Sequence, residues 1–381
     1  MSSLPRKIFT RDFILVFFAQ FTFLTVCHIL IPTLPIYLSR LGSRETEIGV
    51  LIGSFGVSSL VLRPFVGRAL LRIPEKGFMI AGALLFTLAS AAYLFAPPFW
   101  PFLVVRVFQG IGLAFFNTAA FTLIARISPE VHRGQSLSYF FSAQNISLAL
   151  APPLGMLLIN HFGFNHLFLV CLGVSLSSLL VASKLGERPN LPSEDSLDGD
   201  GLYLSWKAIP PSILTFCFYF IWGGMAAFFP LYAIHHGVAN PGLFFTALSV
   251  VLFLGRALGG RILDLYSKEK VILYFFSICI ISQIVLAFSK NLPMFILAGV
   301  IWGMGAALFN PAAMAYTLDR AGSSRGPAMG TYTAFSDLGV SLGPAMMGPI
   351  ISWTSYPAMF LCLALVGVIN LAYFYFFVKK R

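Results

Sequence analysis

Charge is what this sequence has least of. Only 10% of its 381 residues are Asp, Glu, Lys or Arg, where a soluble domain carries about 25%. That scarcity excludes an ordinary cytoplasmic enzyme, a disordered tail and a fibrous chain, and it leaves the lipid bilayer as the expected solvent. Acids are scarcer than bases, 14 against 25, for a net charge of +11. The surplus does not point to nucleic acid, because the bases sit in short segments between apolar runs with no interleaved aromatic platform; anchoring to an anionic leaflet accounts for them. Cysteine is rare too. Cys27, Cys171, Cys217, Cys279 and Cys362 all fall in apolar runs without C-x-x-C spacing, so neither disulfides nor a metal site is expected. A phosphate-binding loop is missing, and no polar interval is long enough to hold a globular module, which excludes ATP-driven pumping by this polypeptide alone. No convergent base and nucleophile pair stands out either, so the chain is not read as an enzyme and no cofactor is expected.

What is present is apolar bulk: 58% hydrophobic residues, 40 Phe and 33 Gly, with a mean hydropathy of +0.85. Apolar stretches recur at about residues 12–38, 47–67, 77–97, 99–125, 135–160, 164–183, 208–233, 240–262, 271–289, 291–318, 327–351 and 355–378. Each is long enough to cross the roughly 30 Å hydrocarbon core as a helix, and none alternates with the strand period of two. The expected fold is therefore an all-α integral membrane protein of twelve transmembrane helices. The first span follows Arg6, Lys7 and Arg11 and is too long for a signal peptide, so it is expected to stay. With the N-terminus inside, 21 of the 25 bases fall at cytoplasmic ends while Arg40, Arg44 and Lys290 fall outside, which places both termini in the cytoplasm.

The interval 184–207 is rich in Pro, Gly, Ser and acids and reads as a cytoplasmic linker. It divides the chain into six-helix bundles at 1–183 and 208–381, and the two halves repeat. RPFVGR at 63–68 returns as RALGGR at 256–261, and QGIGLAFFNTAA at 109–120 as WGMGAALFNPAA at 302–313, both at an offset of 193. LPIY at 34–37 returns as FPLY at 229–232, an offset of 195. An even number of spans per repeat keeps both in one orientation, related by an axis along the membrane normal.

The loop after the second span carries Gly67, Arg68 and Arg72; the fourth span carries Arg106, Gln109, Gly110 and Gly112 as R-x-x-Q-G-x-G; the fifth carries Pro152 and Gly155 in A-P-P-L-G. With twelve spans and the repeat, these motifs resemble the major facilitator superfamily over nearly the whole chain, with a leaning to its drug and metabolite efflux (proton antiporter) branches. The resemblance implies a secondary transporter in a bacterial inner membrane, active as a monomer, with a small-molecule substrate, protons and membrane lipids as its partners. One departure stands out: the loop acid of the family corresponds here to Leu71, while the second copy keeps Asp264 after Gly260 and Arg261. Asp264 is either a charge clamp, with Arg256, Arg261 or Lys270 as its partner, or a solvated loop residue. Arg63 is the first-half counterpart of Arg256 in the same gating motif.

Charges deep in a span face water or the bundle interior. Asp337 is the one acid near mid-span, a candidate proton or cation site or else a polar packing contact. Arg106 either meets an anionic group or is held by carbonyls and water. His28 titrates near neutrality and is a candidate relay, or a hydrogen-bonded packing residue. Asn117 and Asn310 occupy matching places and are candidates for cavity contacts or interhelical bonds. Gln144 and Asn145 are adjacent, so at most one faces a cavity. Tyr37, Tyr139, Tyr219, Trp222 and Trp302 are candidate aromatic lining or packing. Pro152, Gly343 and Pro344, with Gly110 and Gly112, read as gating or packing devices. The expected function is proton-coupled export of small amphipathic molecules by alternating access, with import or facilitated passage of a small nutrient or organic anion as the alternative.

Overall fold

A computed structural model describes residues 8–96, 99–129, 132–186, 205–321 and 325–378. Among them are twelve α-helices and no strand: α1 Arg11–Arg40, α2 Glu45–Ala69, α3 Glu75–Ala92, α4 Trp100–Ile127, α5 Arg133–His161, α6 Phe164–Ser183, α7 Ile209–His235, α8 Gly242–Leu265, α9 Lys268–Phe288, α10 Leu292–Ala321, α11 Arg325–Trp353 and α12 Tyr356–Tyr373. Most of the linker expected at 184–207 lies outside the described residues. Eleven helices are long and apolar enough to cross a membrane. The exception is α11, whose run of Gly, Ser, Thr and Pro around Asp337 gives up hydropathy, as a helix lining a polar space does. In lipid the backbone must satisfy itself, which is why these segments are helices throughout.

Helix ends repeat as the sequence does. After α1, Gly42 takes φ +85° and Ser43 N–H donates to Leu38 O at 3.1 Å; after α7, Gly237 takes φ +76° and Val238 N–H donates to Ala233 O at 3.0 Å. Both are left-handed glycine caps with the six-to-one bond of the Schellman motif, 195 residues apart.

The chain gathers into two compact units. Unit 1 holds residues up to Leu30 and Ser58–Leu197; unit 2 holds Ile31–Val57 and Asp198–Arg381. Within unit 1, α3 packs on α4 and α6. Phe23 stacks on Phe116 with centroids 4.1 Å apart, and Phe86 closes the other side. Within unit 2, α11 packs on α7, and α10 on α8 and α9, around Phe218, Phe276, Trp302 and Phe309. Glycine makes the closest approaches. A Cβ on Gly112 would stand 2.9 Å from Gly82 O, and one on its counterpart Gly305 2.7 Å from Phe275 O; dispersion between closely packed backbones replaces the hydrophobic drive that lipid removes.

Unit 2 includes the α1–α2 turn region, and the first part of α2, up to Val57, lies against α11 within that unit. A Cβ on Gly49 would be 2.3 Å from Pro344 O and one on Gly53 2.5 Å from Ser341 O, while Gly348 faces Glu45 O in the same way. On its other face α11 meets α7 as tightly: a Cβ on Gly343 would be 2.3 Å from Phe220 O. Gly343 and Pro344 thus sit at a helix sandwiched on both sides.

Candidate functional site

In unit 1 the polar side chains bind one another across helices. Arg106 is 6% exposed, and its Nη1 donates to Gln109 Oε1 at 2.7 Å, an oxygen that also accepts from Tyr93 Oη at 2.7 Å. Arg106 therefore lies inside the bundle. His28, 7% exposed, shares a 2.8 Å hydrogen bond between Nδ1 and Ser147 Oγ, and Ser147 reaches Thr25 Oγ1 at 3.3 Å; the three tie α1 to α5. Asn117 Oδ1 accepts from the buried Gln20 Nε2 at 3.0 Å, joining α1 to α4. Gln144 is exposed and Asn145 half-buried, two directions for two adjacent amides. Tyr139 is exposed, with its ring 5.3 Å from Phe9. Gly110, Pro152 and Gly155 are buried, while Arg63 is half-buried in α2 and Arg68 and Arg72 are exposed at its end. A Cβ on Gly67 would meet nothing within 4 Å.

Unit 2 collects a different set. Tyr219 stands ten residues into α7, Arg256 nine from the end of α8, Asn310 eleven from the end of α10, and Tyr332 and Asp337 seven and twelve into α11. At about 1.5 Å per residue these are similar depths, about 10–18 Å from the helix ends nearest the basic segments. The side chains meet there: Tyr219 lies against Asn310 and within electrostatic reach of both Arg256 and Asp337, and Tyr332 lies near Tyr219, Thr215 and Arg256. Tyr332 Oη also donates to Asn310 O at 3.4 Å. Tyr332 is buried, Tyr219, Asn310 and Asp337 are half-buried, and Arg256 is exposed. Arg256 is within electrostatic reach of phenols on α7 and α11, the polar company that a charge deep in a span requires. One turn further along α7, the half-buried Trp222 stacks at 6.2 Å on the buried Trp302, an apolar wall beside the polar shelf. Tyr37, also in unit 2, is half-buried.

Sequence reasoning brought Asp337, Asn310, Tyr219, Trp222 and Trp302 forward singly and read Arg256 as part of a gating motif at the end of the span 240–262. The structure sets Arg256 inside α8 beside Tyr219 and Tyr332; Tyr332 was missed. The signal was the repeat, which puts Arg63 and Arg256 in register inside α2 and α8. Gly260, Arg261 and Asp264 belong to α8, and the side chains of Arg261 and Asp264, with the clamp expected there, lie outside the described residues. Among the described residues no group of His, Cys, Asp and Glu is placed to hold a metal ion.

Long apolar helices with a few buried and half-buried polar groups are the architecture of a polytopic membrane protein. The Major Facilitator Superfamily profile matches residues 16–289 and again 211–381, and the chain belongs to that family; it is a transporter, not an enzyme. It is 24% identical over 384 residues to the staphylopine export protein of Staphylococcus aureus (strain Mu50 / ATCC 700699), covering 95% of each chain. It is 24% identical to the quinolone resistance protein NorA of Staphylococcus aureus (strain COL), covering 89% of this chain and 90% of that one. Its fold is similar to that of a POT family transporter in complex with a thioalcohol-conjugated peptide, with a TM-score of 0.81, 14% identity and coverage of 99% and 98%. It is likewise similar to the nucleoside transporter NupG, with a TM-score of 0.77, 13% identity and coverage of 96% and 99%.

Proposed function

We propose that this transporter exports small amphipathic molecules in exchange for protons by alternating access. The observation that carries the reading is Asp337, a half-buried carboxyl twelve residues into α11 and within electrostatic reach of the Tyr219 phenol. A carboxyl in such a place exchanges a proton for a solute contact as the water supply to it changes sides, because hydration favours its ionised form and desolvation its neutral one. The export direction is supported by the relatives named for staphylopine export and quinolone resistance, both matched over most of their length.

The finer topology belongs to the same proposal: twelve spans as two six-helix repeats, 1–183 and 208–381, joined by a cytoplasmic linker, with both termini inside a bacterial inner membrane and one chain sufficient for transport. A second reading, import or facilitated passage of a small nutrient or organic anion, is favoured by Arg256, an exposed cation on the shelf.

Proteoliposomes with an imposed pH gradient separate the two. Substrate-driven proton movement that is lost in D337N while solute binding persists supports exchange at Asp337. Solute flux indifferent to pH and to D337N overturns coupling and leaves a facilitator.

A further inference from the structure

In unit 1 the tautomer of a buried histidine is decided two hydroxyls away from its ring. Thr25 Oγ1 donates its single proton to Phe21 O at 2.7 Å, one turn back along α1. With that proton committed, Thr25 Oγ1 accepts from Ser147 Oγ, 3.3 Å away on α5, and this takes the single proton of Ser147. Ser147 Oγ is then the acceptor in its 2.8 Å contact with His28 Nδ1. The chain of directions ends on the ring, where Nδ1 carries the hydrogen. A neutral imidazole has one donor nitrogen and one acceptor nitrogen, so Nε2 presents a bare lone pair.

That lone pair has no hydrogen-bond partner among the described residues, where the ring bonds to Ser147 and to no carboxylate that would hold a second proton. His28 is nonetheless more than nine-tenths buried, at 7% exposure, and a buried acceptor left without a partner calls for one. The surroundings show where a partner would come from. Along one face of α1, at 3-4-3 spacing, Phe18 is exposed, Phe21 and Thr25 are half-buried and His28 is buried, so the ring lies at the closed end of a partly open face. On α5 the exposed Gln144 precedes Ser147 by one turn, and a span tolerates an exposed amide where it meets water.

We infer that His28 Nε2 is a solute-binding acceptor, locked in that role by the chain through Ser147, Thr25 and Phe21, and that the transported solute carries a neutral N–H or O–H donor, as a primary amide or an alcohol does. The inference rests on the reading of the chain as a solute transporter and deepens it by one feature of the solute. It is independent of proton coupling, of direction and of Asp337. A donor on the solute satisfies the lone pair when the site loses water, whereas a methylated analogue leaves it unpaired. A site built to hydrogen-bond one group rejects the analogue lacking it for that reason.

Nitrogen-15 NMR of the histidine-labelled full-length protein in lipid bilayers reads the tautomer, with His28 assigned as the resonances missing from H28Q. The expected parent ring is protonated at Nδ1 and bare at Nε2. T25V keeps the shape of the side chain and removes the acceptor for Ser147, so the Ser147 proton turns to Nδ1 and the ring changes to the Nε2–H form. Binding is measured by calorimetry on the purified protein in detergent. The probes are arylalkyl primary amides and alcohols, each paired with its N,N-dimethyl or O-methyl counterpart, which loses the donor and keeps the acceptor. The donor-bearing member is expected to bind about three- to tenfold more tightly, the contribution of one hydrogen bond. H28F and T25V each erase that preference, and H28Q, with an amide oxygen available near the Nε2 position, retains part of it. T25V leaves His28 in place, so a ring that only packs would not answer to it. A parent ring protonated at Nε2 or at both nitrogens, a donor preference that survives H28F or T25V, or paired members bound alike or not at all each overturn the inference. Failure of proton coupling in proteoliposomes leaves both the tautomer and the donor preference untouched, so the two readings fail separately.

Discussion

Glu75 and Arg126 form an ion pair at 2.8 Å between the start of α3 and the end of α4, and the same contact recurs with its signs exchanged. Adding 193 to each number gives Lys268 and Asp319, which pair between the start of α9 and the end of α10. A reversed pair at matching positions keeps the attraction while both residues differ, which identifies the contact, and not either charge, as the thing the repeat preserves.

The two pairs differ in burial, and that sets their worth. Glu75 is 3% exposed at its side chain and Arg126 32%, against 34% for Lys268 and 61% for Asp319. Removing the charge in E75Q leaves a guanidinium without its anion and costs about 2–3 kcal/mol, whereas D319N costs less than about 1 kcal/mol because water screens the pair. Thermal unfolding in detergent is expected to show a clear drop in Tm for E75Q and little for D319N. The reversal E75K/R126D, which imitates the second half, is expected to recover much of the loss seen in E75K.

Glycine substitutions separate a packing face from a motif face. G53V places a side chain where Ser341 O already stands 2.5 Å from the Cβ position, so α2 must leave α11. Ser352, which shares a 3.1 Å hydrogen bond with Thr46, reports the separation: a cysteine introduced there is expected to react several-fold faster with a polar thiol reagent in G53V than in the parent. G67A, with open space around the Cβ position, is expected to be neutral or to gain up to about 1 kcal/mol from helix propensity.

Arg106 yields a prediction about fold before transport. Its Nη1 and the Tyr93 hydroxyl share Gln109 Oε1, each at 2.7 Å, inside a region where Arg106 is 6% exposed. Y93F removes one donor from a shared acceptor and costs about 1 kcal/mol; Q109A removes the acceptor from both and costs about 2–3 kcal/mol. Both are expected to lower Tm, Y93F less than Q109A, as thermal unfolding in detergent would show.

The elements were legible because a bilayer needs about 20 apolar residues per crossing: the run expected at 12–38 is α1 Arg11–Arg40, and that at 327–351 is α11 Arg325–Trp353. Faces were less legible. A helix apolar all round shows no stripe, so nothing in α8 separates Arg256, which meets Tyr219 and Tyr332, from Leu258, which is 79% exposed on the same helix. Sequence reasoning placed Arg106 and Asp337 together as deep charges, and only packing distinguishes a buried one hydrogen-bonded to Gln109 from a half-buried one near Tyr219. The reversed ion pair was hidden for another reason: the repeat was read by identity, and Glu75 with Lys268 is a mismatch until the partners are compared as well.

Asn117 and Asn310 occupy the same place in the two repeats and are expected to fail differently. Asn117 Oδ1 accepts from Gln20 Nε2 at 3.0 Å, and Gln20 is 2% exposed, with its own Oε1 already lacking a partner. N117A strands the second half of that buried amide, a loss of about 1–3 kcal/mol that appears in Tm. Asn310 Oδ1 accepts no hydrogen bond, so N310A strands no buried amide of a neighbour and is expected to lower Tm by less than N117A does. Thermal unfolding of the two variants side by side checks this: a Tm loss in N310A as large as that in N117A would make Asn310 a packing residue like its counterpart.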